Sequence, residues 1–424
     1  MRRATSLRLL AGVAVTSMVL AACGSNGSTG SSTSGSSTSG GNQSSSQSAA
    51  SGSASGSSSS GSSTSGSGTS ASSSGTSGSG SAASGSGSAS AASGPTMTGD
   101  KSKVKIGLAY DLGGRGDQSF NDSAARGLDK AVGEGVAKAG ELTAQANEPD
   151  SAKVDRLNQL IKDGATDIIA VGFAYAGPLG QVAPKNSDVH FAIVDDNSLC
   201  TSKADGGAVD TPLPNVDCMT FAAEQSSFLV GVAAGLKTKS GQVGFIGGVD
   251  VPLIQTFQAG FDAGVKAAKP DATISDKYIS EPPDFSGFND PSSGEKIAKG
   301  MYDDGADIIY AAAGGSGAGV FKAAKAAGAL GIGVDSDQYN QPPLSAVKDV
   351  IMTSAVKNVD VGVYDFIVSA VNGSPLTGNQ LYDLKNGGVG IAYSGGKIDD
   401  IKSQLDDYAQ KIISGEIKVP TTLG

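Results

Sequence analysis

Tryptophan is absent from this chain of 424 residues, histidine occurs once, and cysteine occurs three times. A single histidine and the lack of a Cys-x-x-Cys motif argue against a zinc or redox site. A Ser–His catalytic centre would depend on His190 alone, which lies inside a predicted strand rather than beyond its end. We therefore expect a protein that is not an enzyme and that needs no metal or cofactor.

The chain also lacks an apolar run of membrane-spanning length. The apolar stretch from Leu9 to Leu20 is too short to span a bilayer, and it follows the basic residues Arg2, Arg3 and Arg8. It ends at Leu20-Ala21-Ala22-Cys23, which resembles a bacterial lipobox. This pattern predicts a lipoprotein signal peptide over residues 1–22. Cys23 would then carry a fatty-acyl lipid such as palmitate at the extracytoplasmic face of the cell membrane; a simple signal peptide with an incidental Cys23 is the alternative.

Charge is missing from residues 24–99, which are almost entirely Ser, Gly, Ala and Thr. Such a composition cannot bury enough apolar surface to offset the entropy lost on ordering. Residues 23–100 are therefore predicted to be the lipidated cysteine and a disordered tether, with a reach of about 50 Å by flexible-linker scaling. A glycosylated stalk is an alternative for the same segment.

The remaining residues, 101–424, are acidic. Three of the chain's 31 basic residues and one of its 41 acidic residues precede Lys101, which leaves 28 basic and 40 acidic residues. A net charge of about −12 argues against nucleic acid or anionic lipid as a partner, so membrane contact would depend on the N-terminal lipid only. We expect this part of the chain to be monomeric.

Short β-branched runs alternate with Ala-rich helical segments from Val104 onward, which is typical of parallel, doubly wound sheets. The same order occurs twice. DGATDII from Asp163 and DGADII from Asp304 lie about 141 residues apart, and the strands that open at Val104 and Val243 lie about 139 apart. The sequence thus predicts an α/β protein of two doubly wound parallel-sheet lobes, with chance similarity of short segments as the alternative.

We predict that residues 101–424 form the two lobes. Lobe 1 would comprise about 103–225 with a returning segment near 336–370, and lobe 2 about 240–335 with the C-terminal segment. In doubly wound sheets, ligands bind beyond the carboxyl ends of the strands. The residues that follow four of the predicted strands are Asp111, Asp195, Gly314 and Asp335.

Two aromatic residues also stand among polar, turn-forming residues, Phe120 in DQSFND and Phe288 in SGFND. Their neighbours favour projection from a loop or helix start, and core packing is the alternative. One ring from each lobe would sandwich a flat ring system, a contact worth about 1–3 kcal/mol per base. The residues therefore favour small-molecule binding in a cleft between the lobes.

Cys200 and Cys218 bracket a stretch without apolar periodicity. Outside the cell two thiols tend to pair, which favours a local disulfide; two buried thiols are the alternative. Because this stretch follows Asp195, we expect it at the mouth of the cleft.

Six blocks of sequence carry a resemblance to a known family. They are IGLAYDLGGRGDQSFNDSAARGL, EQSSFLVGVAA, VGFIGG, GSGAGVFKAAK, IGVDSDQ and TSAVKNVD, in this order between about Lys103 and Gly390. Together they resemble the basic membrane protein family, the substrate-binding lipoproteins of ABC importers, similar to purine nucleoside receptor lipoproteins. The resemblance implies a type I periplasmic-binding-protein-like fold with a hinge, a nucleoside ligand and an ABC permease as partner.

The resemblance also implies roles for single residues. Phe120 and Phe288 would stack on the base, Asp111 would meet the base edge, and Asn121 lies in the same block. Asp195 matches the acid at the third strand end, while Asp335, Lys357 and the backbone near Gly314 would hold the ribose. For Lys357, a solvated surface cation is the alternative.

The chain differs from the family pattern at Arg115, Gly116 and Gln118, in the turn beside Asp111, a change that bears on base preference. We expect an extracytoplasmic protein that binds a nucleoside, of the purine class, for import. The alternatives are a binder of another small polar ligand, such as a sugar or sugar-like signal, and a surface interaction protein.

Overall fold

The structure is a computed structural model that describes residues 95–424. The predicted signal peptide, the lipidated Cys23 and nearly all of the predicted tether lie outside these residues. Within the described part of the chain, no helix is both long enough and apolar enough to cross a membrane.

Two six-stranded sheets organise the described residues, one in each lobe. The strands of the lobe 1 sheet are β1 (Lys105–Tyr110), β2 (Ala137–Thr143), β3 (Asp167–Ala170), β4 (His190–Val194), β5 (Val216–Phe221) and β11 (Gly378–Tyr382). The strands of the lobe 2 sheet are β6 (Gln242–Val249), β7 (Thr273–Ser280), β8 (Ile308–Ala312), β9 (Leu330–Asp335), β10 (Ile351–Lys357) and β12 (Val389–Ile391).

Helices cover both faces of each sheet. They are α1 (Phe120–Gly133), α2 (Asp150–Lys162), α3 (Ala176–Val182), α4 (Ala223–Lys237), α5 (Pro252–Ala268), α6 (Pro291–Asp303), α7 (Gly317–Ala327), α8 (Val359–Val371) and α9 (Lys402–Ile413). Each lobe has one apolar core on either side of its sheet. Because the central strands are buried on both faces, they consist of nearly continuous β-branched and apolar residues rather than an alternating pattern.

The two sheets share one strand order. In lobe 1 the sheet runs β2-β1-β3-β4-β5 and adds β11 beside β5, and in lobe 2 it runs β7-β6-β8-β9-β10 and adds β12 beside β10. Among the described pairings only β10 with β12 is antiparallel. The prediction of two doubly wound α/β lobes built on one plan is therefore confirmed.

The chain crosses between the lobes after β5, after β10 and between β11 and β12. After the first crossing, α4 packs in the core of lobe 2, and after the second, α8 packs in the core of lobe 1. The prediction that residues 336–370 return to lobe 1 is wrong for 336–357, because β10 pairs in parallel with β9 in the lobe 2 sheet. The returning segment is instead α8 with β11.

Candidate functional site

A cavity lies between the carboxyl ends of the two sheets, with about 580 Å³ of space between its lining atoms, including solvent at its mouth. The structure brings all eight predicted site residues to it: Asp111, Phe120, Asn121, Asp195, Phe288, Gly314, Asp335 and Lys357. Parallel strands end at one edge of a sheet, so two facing sheets gather their strand-end residues in one place. An apolar lining with a few convergent polar groups is typical of a small-molecule site.

Lys357, the last residue of β10, lies between two carboxylates. Its Nζ contacts Asp195 Oδ2 and lies 3.9 Å from Asp335 Oδ1. The side chains of Lys357, Asp195 and Asp335 are only 3%, 4% and 8% exposed. Lys357 is thus not a solvated surface cation, and its charge is shared by one acid from each lobe.

Asp195 and Asp335 occupy equivalent places, directly after β4 and at the end of β9. Both have a left-handed backbone, with φ of 67° and 61°. This conformation costs of order 1–3 kcal/mol for a residue other than glycine and persists where the surrounding structure enforces it. The fold therefore holds both carboxylates in place before any ligand arrives.

The lobes touch each other beside this charge cluster. Ser119 of lobe 1 donates its hydroxyl to Asp335 Oδ2 at 2.7 Å, and Ser336 of lobe 2 donates its own to the Ser119 carbonyl at 2.7 Å. Burial raises the pKa of Asp335 above its ordinary value, although Lys357 and the Ser119 hydroxyl favour the ionised form. Because of these two hydrogen bonds between the lobes, the cleft is closed beside the charge cluster.

Asp111 follows β1 at another part of the cavity. Its Oδ1 accepts a hydrogen bond from the Leu112 amide at 2.8 Å, and within residues 95–424 its Oδ2 has no hydrogen-bond partner. Oδ2 lies against Gly172, where a Cβ atom would come within 2.4 Å of it and where φ is 104°. Burial raises the pKa of Asp111 to about 6. This oxygen is available to a ligand.

Asn121 supports Asp111 from the first turn of α1. Its Oδ1 accepts from the Asp111 amide at 3.0 Å, and its Nδ2 donates to the Leu112 carbonyl at 3.1 Å and to Asp117 Oδ2 at 3.0 Å. Both amide protons of Asn121 are thus engaged within the loop. The side chain positions Asp111 more than it offers donors to a ligand.

Asp117 is a lining residue that the sequence reasoning missed. Its carboxylate is buried and accepts hydrogen bonds from the amides of Ser119, Asn121 and Asp122 at 2.8 to 3.1 Å. It therefore satisfies amides at the start of α1, which have no partner inside the helix. An aspartate three residues before a helix start is a signal that could have revealed this role.

Aromatic rings approach the cavity from both lobes. Phe120 is the first residue of α1, and its ring centroid lies 4.5 Å from Lys357 Nζ. Phe288 ends a short 3₁₀ turn in lobe 2. Phe173 and Phe257 also line the cavity and were missed. Phe173 ends the apolar run DIIAVGF over residues 167–173, so a search of the residues that end such runs would have found it. Phe257 lies in α5, where no signal separates it from a core residue.

Gly314, another of the predicted site residues, begins a 3₁₀ turn between β8 and α7. Its φ is 54°, and a Cβ atom there would lie 2.9 Å from the Phe288 carbonyl oxygen. Glycine thus lets the backbone of this turn pass close beneath Phe288. The turn and the aromatic residue are positioned together.

Neither His190 nor Arg115 lines the cavity, although the sequence draws attention to both. His190 begins β4, at the other end of the strand from Asp195, and its Nδ1 lies 3.3 Å from Asp167 Oδ1. In the turn beside Asp111, Arg115 points to Asp129 at 2.7 Å and to Glu141. Arg115 is not among the cavity-lining residues, so its charge does not face the ligand space directly.

Cys200 and Cys218 are joined by a disulfide, with their Cα atoms 6.1 Å apart. The stretch between them packs Val209 and Leu213 against the core on one face of the lobe 1 sheet. The expectation that it covers the cleft mouth is wrong, since none of its residues lines the cavity. The disulfide to β5 and this apolar packing hold it on the side of lobe 1.

The fold agrees with comparisons to known proteins. The family model described as "ABC transporter substrate-binding protein PnrA-like" matches residues 103–422. The chain belongs to this PnrA-like family. Its predicted resemblance to the basic membrane proteins is therefore confirmed, and the part of the chain in the match is an ABC transporter substrate-binding protein.

Several relatives extend the family assignment. The CD4+ T-cell-stimulating antigen of Listeria monocytogenes is 34% identical, over 74% of this chain and 87% of the relative. Basic membrane protein A of Borreliella burgdorferi is 32% identical, over 75% and 88% of the two chains. The ABC transporter nucleoside-binding protein BmpA of Lactococcus lactis is 31% identical, over 76% and 90%.

Two solved structures superpose on both lobes of the PnrA-like chain over nearly their whole length. A solute-binding protein of an Aeropyrum pernix ABC transporter system superposes with a TM-score of 0.62 at 28% identity, covering 75% of this chain and 94% of that one. A solute-binding protein from Conexibacter woesei gives a TM-score of 0.58 at 24% identity, with 75% and 99% covered. The two-lobed architecture of periplasmic-binding-protein type is thus shared with solved ABC solute-binding proteins.

Proposed function

We propose that the protein binds a purine nucleoside in the cleft between its lobes and delivers it to an ABC permease for import, while a lipid on Cys23 holds it at the extracytoplasmic face. The observation that carries this proposal is Lys357, buried between Asp195 and Asp335 in a cavity that Phe120 and Phe288 enter from opposite lobes. The two halves of this site suit the two halves of a nucleoside.

The charged end of the cavity suits a ribose. Carboxylates accept hydrogen bonds from vicinal hydroxyls and the Lys357 ammonium donates to a hydroxyl or ring oxygen, and hydrogen bonds with one ionised partner are about twice as strong as neutral ones. Because Asp195 and Asp335 come from different lobes, a ribose between them would also favour closure. Lys357, Asp195 and Asp335 pair with one another, an arrangement that suits recognition of a ligand. We propose that the protein binds its ligand without a chemical step.

The aromatic end suits a purine. Phe120 and Phe288 would lie on the two faces of the base, and the free Oδ2 of Asp111 would accept a ring N–H or amino proton at its edge. Glycine at position 172 makes room for this oxygen, because a Cβ atom there would collide with Asp111 Oδ2. Stacking supplies affinity with little base preference, so the hydrogen bond to Asp111 would supply selectivity.

Binding is tested by calorimetry on the purified full chain. The protein is denatured and refolded to remove carried-over ligand, then titrated with inosine, guanosine and adenosine. We expect saturable heat with one site per chain for at least one of these. An absence of heat with all three nucleosides would contradict the proposal.

The ligand carried through purification gives an independent test, because hydroxyl recognition at Asp195 and Asp335 would by itself also suit a sugar. Mass spectrometry of small molecules released on denaturation should show a nucleoside. A free sugar without a base would favour the sugar-binding alternative. If Asp335 and Lys357 can be replaced without loss of binding to a surface partner, the interaction-protein reading gains support instead.

Acid should weaken nucleoside binding through Asp111. Burial raises its pKa to about 6, with Lys153 opposing and Asp195 and Glu148 adding to the rise. The carboxylate that accepts an N–H is therefore present above about pH 6 and lost as the pH falls. Affinity for inosine should drop by up to about tenfold between pH 7.5 and pH 5, since one pKa unit corresponds to 1.36 kcal/mol.

The matched variant for this prediction is Asp111→Asn. Its amide does not titrate, so the variant should bind inosine more weakly at pH 7.5 and show a flatter pH profile by calorimetry. An unchanged pH profile in the variant would assign the acid sensitivity to another group.

A further inference from the structure

A second cavity adjoins the first and opens outward from it. It is lined by residues 144–148, Asp150 and Lys153 of lobe 1 and by Pro283, Asp284 and Phe285 of lobe 2, and we call it the outer chamber. About 1220 Å³ of space, including open solvent, lies between its lining atoms. It is present while the lobes touch each other at Ser119 and Asp335.

The outer chamber meets the inner cavity at its aromatic end. The residues that line both are Asp111, Leu112, Phe173 and Phe288. Asp195, Asp335 and Lys357 line the inner cavity only. A base held at Asp111 would therefore have its edge at the boundary, while the ribose end would face away from the outer chamber.

Contacts between the lobes define the sides of the outer chamber. The rings of Phe173 and Phe285 lie 6.2 Å apart between centroids, and Asn147 Nδ2 lies 3.5 Å from Asp284 Oδ1. Each contact joins lobe 1 to lobe 2. The chamber is thus a space built by the closed arrangement rather than a gap left by an open one.

Acidic groups dominate the lining. Among residues 95–424, four carboxylates line the outer chamber, from Asp111, Glu148, Asp150 and Asp284, and one cation, Lys153. Glu148 also accepts hydrogen bonds from Arg156, a group behind the wall, at 2.8 and 2.7 Å. Even with Arg156 counted, the charge around the chamber is negative.

We propose that the outer chamber is a subsite for a substituent on the base, so that the protein takes base-modified nucleosides as well as simple ones, and that it favours a cationic substituent over an anionic one. This inference rests on the proposed nucleoside function. Space beyond the base edge admits the substituent, and the negative lining attracts an ammonium and repels a carboxylate or phosphate. The selectivity should weaken in high salt because the chamber is partly open to solvent.

Calorimetry on the refolded full chain tests the subsite with adenosine as parent ligand. Its derivatives carry a 4-aminobutyl or a 3-carboxypropyl chain at N6, C2 or C8. At one position or more, we expect the aminobutyl compound to bind within about threefold of adenosine or more tightly, and the carboxypropyl compound at least about tenfold more weakly than the amine.

Two variants locate the effect. Ala146→Trp, at an exposed position of the chamber wall, should weaken the aminobutyl compound by about tenfold and leave adenosine unchanged. Asp150→Asn combined with Asp284→Asn should reduce the preference for the amine over the acid. The matched control is Asp210→Asn, whose side chain is 88% exposed and lines neither cavity.

The outcomes separate the two proposals. If adenosine and the other simple nucleosides do not bind, the proposed function fails. If adenosine binds but both chains weaken binding more than about 30-fold at all three positions, the subsite alone is overturned. Equal affinity for the amine and the acid would overturn the charge selectivity.

Discussion

Replacing Lys357 by methionine is expected to weaken nucleoside binding at least about 100-fold and to lower the free energy of unfolding by about 3–5 kcal/mol. Methionine keeps much of the side-chain length but removes the ammonium between Asp195 and Asp335. Removing one partner of a buried ion pair leaves an uncompensated buried charge, which destabilises a protein by this amount.

The loss of binding has a second cause in the closed cleft. Without the cation, a carboxylate from lobe 1 would face a carboxylate from lobe 2, and like charges at short range oppose closure. The ribose would also lose its ammonium donor. Calorimetry measures the affinity, denaturant titration measures the stability, and small-angle scattering with and without nucleoside measures closure.

Two further variants separate folding from recognition. Lys357→Met with Asp335→Asn removes one of the stranded charges, so it should recover part of the stability and none of the affinity. Lys402→Met is the matched control, because Lys402 pairs with Asp406 at 2.8 Å on the surface of α9, and surface changes usually stay within about 0.5 kcal/mol. Binding by Lys357→Met within threefold of the unchanged protein would contradict the proposed ribose contact.

Phe288→Ala should weaken nucleoside binding about 5- to 150-fold, and Phe120→Ala should have an effect of similar size. Loss of one stacking ring corresponds to about 1–3 kcal/mol. Because the two rings belong to different lobes, each substitution removes one face of the sandwich and leaves the other. The affinities are measured by calorimetry with the nucleoside that binds most tightly.

Conservative changes at the same positions show whether the ring itself matters. Phe288→Tyr keeps the aromatic face and should bind nearly as well as the unchanged chain. Phe288→Leu keeps an apolar side chain without a π-face and should lose most of what alanine loses. If Phe288→Leu binds with full affinity, simple apolar contact explains the binding better than stacking does. If Phe288→Ala binds with full affinity, the base is not sandwiched between the two rings.

The lobe plan was accessible from sequence because both lobes repeat a local pattern. Buried parallel strands form continuous apolar runs, and β3 of lobe 1, which follows DGAT, matches β8 of lobe 2, which follows DGAD. The return of the chain to lobe 1 was placed too early, since nothing local in residues 351–357 shows that they pair with β9. A buried strand has the same apolar residue pattern in either sheet, so the pattern does not show which sheet it joins.

The class of fold and the residues at the strand ends could be read from the sequence, because parallel strands must bring those ends to one edge. The roles of these residues depend on contacts that form only in the folded protein. Lys357 lies about 160 residues from Asp195 along the chain, yet they form one buried ion pair. Asn121 became a support for Asp111, and the Cys200–Cys218 stretch packed away from the cleft. The outer chamber also exists only where the lobes meet. Such contacts depend on the relative placement of distant segments, which no local pattern of residues encodes.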